Sequence, residues 1–156
     1  MRRIYIASSW KNANQVRHLT YLLRSEEHEV FVFCDMEARP AGLDKFVFGA
    51  KEWAAHSGRP PSEIEYKDFL TWPPTKRAFD SDRAGIDWAD TVVLFLPSGR
   101  SSHLEAGYAV GRGKDLFIYG DLPVGEFDAM YLFAKKCFWS REVLDLLDAL
   151  AGRAED

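Results

Sequence analysis

Thr91-Val92-Val93-Leu94-Phe95-Leu96 runs without a break into Pro97-Ser98-Gly99-Arg100-Ser101-Ser102-His103-Leu104-Glu105-Ala106-Gly107-Tyr108-Ala109-Val110-Gly111-Arg112-Gly113-Lys114. The first six residues form an apolar run of strand length, the next few are small and polar, and a helical pattern follows. Strand, short loop and helix start in that order are the signature of an open α/β sheet, whose ligands sit at the carboxyl ends of the strands. The loop carries hydroxyls (Ser98, Ser101, Ser102), a cation (Arg100) and the free amides of a helix start, with the carboxylate Glu105 just behind. Ser102-His103-Leu104-Glu105 also fits the S-x-x-E capping box, in which serine and glutamate satisfy each other's backbone amides. Capping and chemistry are both open for Glu105 at this point, and a carboxylate tied to backbone amides is the poorer nucleophile.

Outward from this unit the same alternation repeats. Strands are expected at Arg3 to Ala7, Glu29 to Phe33, Asp115 to Tyr119 and Lys136 to Phe138. Val16, Leu19, Leu22 and Leu23 recur at helical spacing between the first two. A helix from about Thr75 to Trp88 should carry Phe79 and Ile86 inward, and the motif helix should run from about 102 to 112 with Gly113 closing it. A last helix has Ser140 as its expected N-cap and Val143, Leu144, Leu146, Leu147 and Leu150 as its apolar face. Alternating strands and helices predict an α/β fold, a flavodoxin-like (Rossmann-like) three-layer sandwich around a parallel sheet of about five strands.

One domain over residues 1–156 is expected at this length. Residues 36–75 depart from the alternation. Pro40, Gly42, Gly58, Pro60, Pro61, Pro73 and Pro74 break them, while Phe46, Phe48, Trp53, Tyr66, Phe69 and Trp72 make them too aromatic for a disordered linker. They read as a packed excursion with short helices near 43–55 and 62–70, its aromatics covering a core edge or stacking on a flat ligand, the former preferred.

Apolar residues make up 47% of the chain and the net charge is −4, with lysine and arginine scattered, so duplex nucleic acid is not an expected partner. A nucleoside or nucleotide needs only local positive potential and stays open. Cys34 and Cys137 are far apart and belong to no C-x-x-C pair, so they read as buried thiols and not as zinc ligands. No H-x-E or H-E-x-x-H metal spacing occurs, and no G-x-x-x-x-G-K-[ST] phosphate loop. Gly107 and Gly111 suggest close packing against the sheet or a neighbouring helix. No apolar run approaches the roughly 20 residues of a bilayer span, and no signal-peptide pattern is read before Arg3, so a soluble cytoplasmic protein is expected. No cofactor and no metal are expected.

Four strand ends should converge on one edge: Ser8-Ser9-Trp10, Asp35, residues 97–105 and the loop after Tyr119. Asp82 lies in the acid-rich helix before the motif, where Asp80 and Asp87 read as solvated and Asp90 as a turn residue. His103 reads as a packing or surface residue.

Ile4-Tyr5-Ile6-Ala7-Ser8-Ser9-Trp10, then Asp82-x-x-Gly85-Ile86-x-x-x-Asp90, then Glu105-Ala106-Gly107-Tyr108-Ala109 with Gly113-Lys114, resemble the nucleoside 2-deoxyribosyltransferase family, whose superfamily also holds deoxynucleoside 5′-monophosphate N-glycosidases. The resemblance spans the chain except for 36–75. It implies a flavodoxin-like fold and cleavage of the N-glycosidic bond of 2′-deoxynucleosides. Glu105 would be the nucleophile that forms a covalent glycosyl-enzyme, Asp82 the acid that handles the base's proton, and Tyr5 the hydroxyl that orients the nucleophile. Ser8, Ser9 and Trp10 would line the base pocket. The resemblance further implies a homodimer or higher homo-oligomer with shared sites, Asp128 and Met130 reaching the neighbouring one.

Two features depart from the transferase pattern. Gly99 stands where an acid is expected six residues before the nucleophile, so base recognition must differ. Arg100, Ser101 and Ser102 suit a phosphate at a helix start, which brings a 5′-monophosphate N-hydrolase into view. The rival from another class is a nucleotide-binding sensor that keeps the fold without the chemistry; a retained Glu105 and Asp82 pair speaks against it.

Overall fold

The computed structural model describes residues 1–48 and 50–153. Each strand alternates its side chains between two apolar layers, because successive residues point to opposite faces. In β1 (Arg3–Ala7), Ile4 and Ile6 face one layer while Tyr5 and Ala7 face the other. β2 (Glu29–Val32), β3 (Thr91–Phe95), β4 (Asp115–Tyr119) and β5 (Lys136–Phe138) complete a sheet of order β2-β1-β3-β4-β5. All four pairings are parallel; Tyr5 lies opposite Phe31 on one side and Val92 on the other. This is the flavodoxin-like order expected from the sequence. Among the described residues no helix is long and apolar enough to cross a membrane, and no cluster of three or more potential ligands could hold a metal ion.

Among the described residues six α-helices flank or extend the sheet. α1 (Ala13–Ser25) and α6 (Val143–Ala151) cover the face of Ile4, Ile6, Val93, Phe95 and Phe117 with Val16, Leu19, Leu23, Leu146, Leu147 and Leu150. α4 (Pro73–Trp88) and α5 (Arg100–Gly111) cover the face of Tyr5, Phe31, Val92 and Leu94 with Ile86, Ala89, Ala106 and Ala109. α2 (Ala50–Ser57) and α3 (Tyr66–Leu70) belong to the excursion between β2 and α4. Each fully buried Leu, Ile, Val or Phe contributes about 1.5–3 kcal/mol, which ties both helical layers to the sheet. β2 is an edge, and its carbonyls at Val30 and Val32 accept from Arg24 and Arg39 at 3.1 Å each, so the edge is closed to further pairing.

Several expectations are corrected. Residues 43–48 are not helical, and the first helix of the excursion begins only at Ala50. Phe79 is 61% exposed, because α4 reaches the core only from Ser81 onward; its first turns lie against α3 and carry Phe79 under Arg83. Leu144 is exposed, on the outer side of α6. Ser140 does not cap α6: it opens a short 3-10 turn, and its amide and hydroxyl both go to Asp121. Cys137 is exposed because β5 is an edge strand, whereas Cys34 is buried. A Cβ on Gly107 or Gly111 would meet nothing within 4 Å, so neither marks a close helix contact.

The aromatics of the excursion pack chiefly on one another. Phe46, Phe48 and Phe69 stack at 6.0 and 6.4 Å, and Trp53 meets Phe69 and Trp72 at 5.3 and 5.5 Å. Among the described apolar residues of this stretch, Leu43 packs against the sheet's core. The cluster is fastened to α4 by Asp44, which accepts from two nitrogens of Arg77 at 3.0 Å each, and by the Arg77 guanidinium lying 4.3 Å over Phe46.

Candidate active site

Three ionisable groups meet between α4, α5 and β1. On α4, Asp82 occupies the inward stripe with Gly85, Ile86 and Ala89; on α5, Glu105 shares its face with Ser102, Ala106 and Ala109. Both carboxyl groups therefore stand where helical periodicity calls for apolar side chains. Tyr5 points up at them from the middle of β1, 0% exposed and stacked on Phe31 at 5.1 Å.

Asp82 and Glu105 are themselves half-buried, and the electrostatics follow from this placement. Desolvation pushes Glu105 up to about 8, reinforced by the negative charge of Asp82 and opposed by the Tyr5 hydroxyl. Desolvation also lifts Asp82, to about 6, against the pull of Arg39. Tyr5 is raised well above its ordinary value by burial and then by the two carboxylates. Its hydroxyl makes no hydrogen bond of ordinary length among the described residues, yet lies near enough to Glu105 to draw that carboxyl's pKa down. A buried donor left open costs about 1–3 kcal/mol, so this hydroxyl is poised for a partner. Near neutral pH the two carboxyl groups together hold one proton.

The capping reading of Glu105 is overturned. α5 starts earlier than expected, with Gly99 as N-cap and no side-chain cap bond. Ser102 sits inside the first turn and donates back to the Gly99 carbonyl at 3.0 Å. No capping box ties Glu105 to the helix start.

The other expected site residues divide. Gly99, Arg100 and Ser101 are exposed at the start of α5, while Ser102 is buried. Ser98 lies beside them with a buried hydroxyl that has no partner among the described residues. Ser8 donates to the Phe95 carbonyl at 2.9 Å and accepts from Asn12 at 3.1 Å; Ser9 accepts from the Lys11 amide. Both serines build the loop after β1. Trp10 is half exposed and meets Phe33 edge-on. Asp35 accepts from the Glu37 amide and lines a hollow with Arg17 and Arg24 beside α1, across the sheet from Glu105. Asp128 accepts from the Met130 amide at 2.7 Å, and Met130 projects outward; no contact described within the chain joins either to Glu105.

One group, Arg39, escaped the sequence reading. It is 6% exposed and lies 4.0 Å from Asp82. His103 bridges the Gly99 carbonyl at 2.7 Å and the Tyr131 hydroxyl at 2.9 Å, tying the loop of the site to the segment after β4. Nothing in the local pattern around Arg39 separates it from a surface arginine.

Fold and side chains together define an α/β protein with two inward carboxyl groups and a tyrosine on one face of a doubly wound sheet. No family model and no curated protein matches the chain. Among solved structures it is similar to a 2-deoxyribosyltransferase from the psychrotolerant bacterium Bacillus psychrosaccharolyticus, at 21% identity and a TM-score of 0.46, over 83% of this chain and 78% of that one. At that distance the chemistry rests on the side chains alone.

Proposed function

We propose that the chain cleaves the N-glycosidic bond of 2′-deoxynucleosides or their 5′-monophosphates, as a nucleoside 2-deoxyribosyltransferase-like enzyme with Glu105 as nucleophile. The observation that carries this reading is the convergence of Glu105, Asp82 and the open Tyr5 hydroxyl in one desolvated place. An oxocarbenium-like transition state at C1′ is stabilised by a carboxylate, which then bonds to it. A Glu105 oxygen attacks C1′; the C1′–N bond breaks and its electron pair passes to the base, which takes the proton held by Asp82. An acceptor base or water then attacks C1′ of the glycosyl ester. The C1′–O bond to Glu105 breaks with its electron pair returning to the carboxylate, and Asp82 takes the proton from the attacking base or water.

This step needs Glu105 ionised and Asp82 protonated, whereas in the free protein Glu105 is the more basic. Two contacts shift the shared proton. A base atom accepting a hydrogen bond from Asp82 favours the acid there, and a Tyr5 hydroxyl donating to Glu105 favours the anion. Substrate binding thus arms the nucleophile.

The free amides at the start of α5, exposed Arg100 and Ser101 and the unpartnered Ser98 hydroxyl favour a phosphate there, and with it hydrolysis of a 5′-monophosphate. Assembly into a homodimer or larger is also proposed. Phe127 and Leu132 are 88% and 89% exposed beside Met130, next to a hollow of about 400 Å³ lined by Leu122, Val124 and Trp139. An apolar patch of this kind marks an interface. It would let Asp128 and Met130 reach a neighbouring copy's site.

Chromatography of reactions with the four deoxynucleosides and their 5′-monophosphates, with and without an acceptor base, tests the reading. A new nucleoside that needs the acceptor establishes transfer, and free base from monophosphates alone establishes hydrolysis. No turnover of any substrate favours a nucleotide-binding sensor.

A further inference from the structure

We propose that Arg39 is a positioning residue, which ties the 36–75 excursion to α4 and holds the Asp82 carboxylate in place opposite Glu105. The proposal rests on the enzymatic reading above. Its basis is the way one buried guanidinium is shared out. Nε donates to the Val32 carbonyl at 3.1 Å. Nη1 donates to the Asp44 and Phe46 carbonyls at 2.9 and 2.6 Å and to the Ser81 hydroxyl at 2.8 Å. Nη2 donates to the Phe33 carbonyl at 3.3 Å and stands 4.0 Å from Asp82. The guanidinium plane lies 4.4 Å over Phe31, whose ring is stacked on Tyr5. One side chain thereby touches the β2 edge, the excursion, α4 and the aromatic floor under the carboxyl pair.

A tie between an excursion and a helix does not need a charge. Burying a guanidinium is costly unless an anion answers it, and well-packed apolar residues serve as well for anchoring alone. The anion that answers here is Asp82, beside Ser81 on the inward stripe of α4. The other ionisable groups facing Arg39 are Tyr5 of β1, Asp44 of the excursion and Cys34 after β2, and Asp82 in turn faces Glu105 of α5. Arg39 opposes the rise that burial imposes on Asp82. Without it Asp82 would hold a proton more tightly, and its midpoint would rise toward that of Glu105.

The test is the titration of Asp82 by carbon-13 NMR of carboxyl-labelled aspartate, assigned with Asp82→Asn, in Arg39→Met and Arg39→Lys. Circular dichroism shows which variants fold. Arg39→Met is expected to raise the Asp82 midpoint by about one unit or more. Arg39→Lys should give a smaller rise, because three donors on a flexible stem cannot serve these acceptors and stay beside Asp82. Should Arg39→Met fail to fold, Arg39→Lys decides alone. A folded variant with the wild-type midpoint overturns the proposal. In an active enzyme the acid limb of the kcat profile moves with that midpoint while KM changes little. A purely structural arginine would lower thermal stability and leave the profile in place. If the midpoint shifts but even the wild-type chain turns over no substrate, the enzymatic reading fails and the coupling of Arg39 to Asp82 stands.

Discussion

Gly85 and Phe31 are in contact so close that a single added carbon has nowhere to go: a Cβ on Gly85 would lie 2.8 Å from the Phe31 ring. That ring is stacked on Tyr5 and covered by Arg39, so the glycine on α4 sets the level of the floor beneath Asp82 and Glu105. Gly85→Ala is expected to cost about 1–3 kcal/mol from overpacking and to lower turnover by displacing Tyr5. Denaturant unfolding alongside initial rates checks both.

Activity should follow a bell-shaped pH profile. The step needs one proton on the carboxyl pair, whose members lie near 6 and near 8. Rates are expected to fall below the first value, as both carboxyls become protonated, and above the second, as both ionise. The dependence of kcat/KM on pH between 5 and 9 measures the two limbs.

Glu105→Gln should abolish turnover by about a thousandfold or more and stabilise the free protein at alkaline pH. Glu105 has a higher pKa folded than unfolded, so the folded chain binds more protons between its ordinary value of 4.5 and about 8, and stability declines as pH rises through that window. The glutamine removes this contribution. Thermal melts at pH 8 should show a gain on the order of 1–2 kcal/mol, shrinking toward zero near pH 4.

Tyr5→Phe separates packing from chemistry. The ring stays in the core while a buried open hydroxyl is lost, so stability should hold or rise, by up to about 1–3 kcal/mol. Turnover should fall by about tenfold to a hundredfold, as one donor to a reacting carboxylate is worth that much. The alkaline limb should move up, because the hydroxyl lowers Glu105.

The sheet was legible because unbroken apolar strands alternate with helical spacing, and Asp82 sits four residues before Ile86 on a stripe that can be counted in the sequence. What escaped depended on contacts between distant segments. The start of α5 at Arg100, which frees Glu105 from a capping role, is set by how the loop after β3 packs. Phe79 has the right period for the core and lies beyond it. Arg39 follows a 3-10 turn and precedes a proline, and only the folded chain brings it to Ser81 and Asp82. The excursion's aromatics were visible as a group, but that they pack on one another depended on the turns at Gly58 and Pro60.

Phe127→Asp combined with Leu132→Asp should convert an assembled protein to monomers and lower turnover by about tenfold or more, as expected when buried apolar anchors leave an interface. Sedimentation velocity and rate assays on the same samples check both effects. A double variant with unchanged mass and rate would place the interface elsewhere.

The most direct test of Glu105 as nucleophile is intact mass spectrometry of the protein quenched during turnover of a 2′-fluoro-2′-deoxy substrate. A mass increase equal to the sugar, mapped to the peptide carrying Glu105 and absent from Glu105→Gln, is the expected result. Steady release of base with no adduct, or an adduct on another residue, would contradict it.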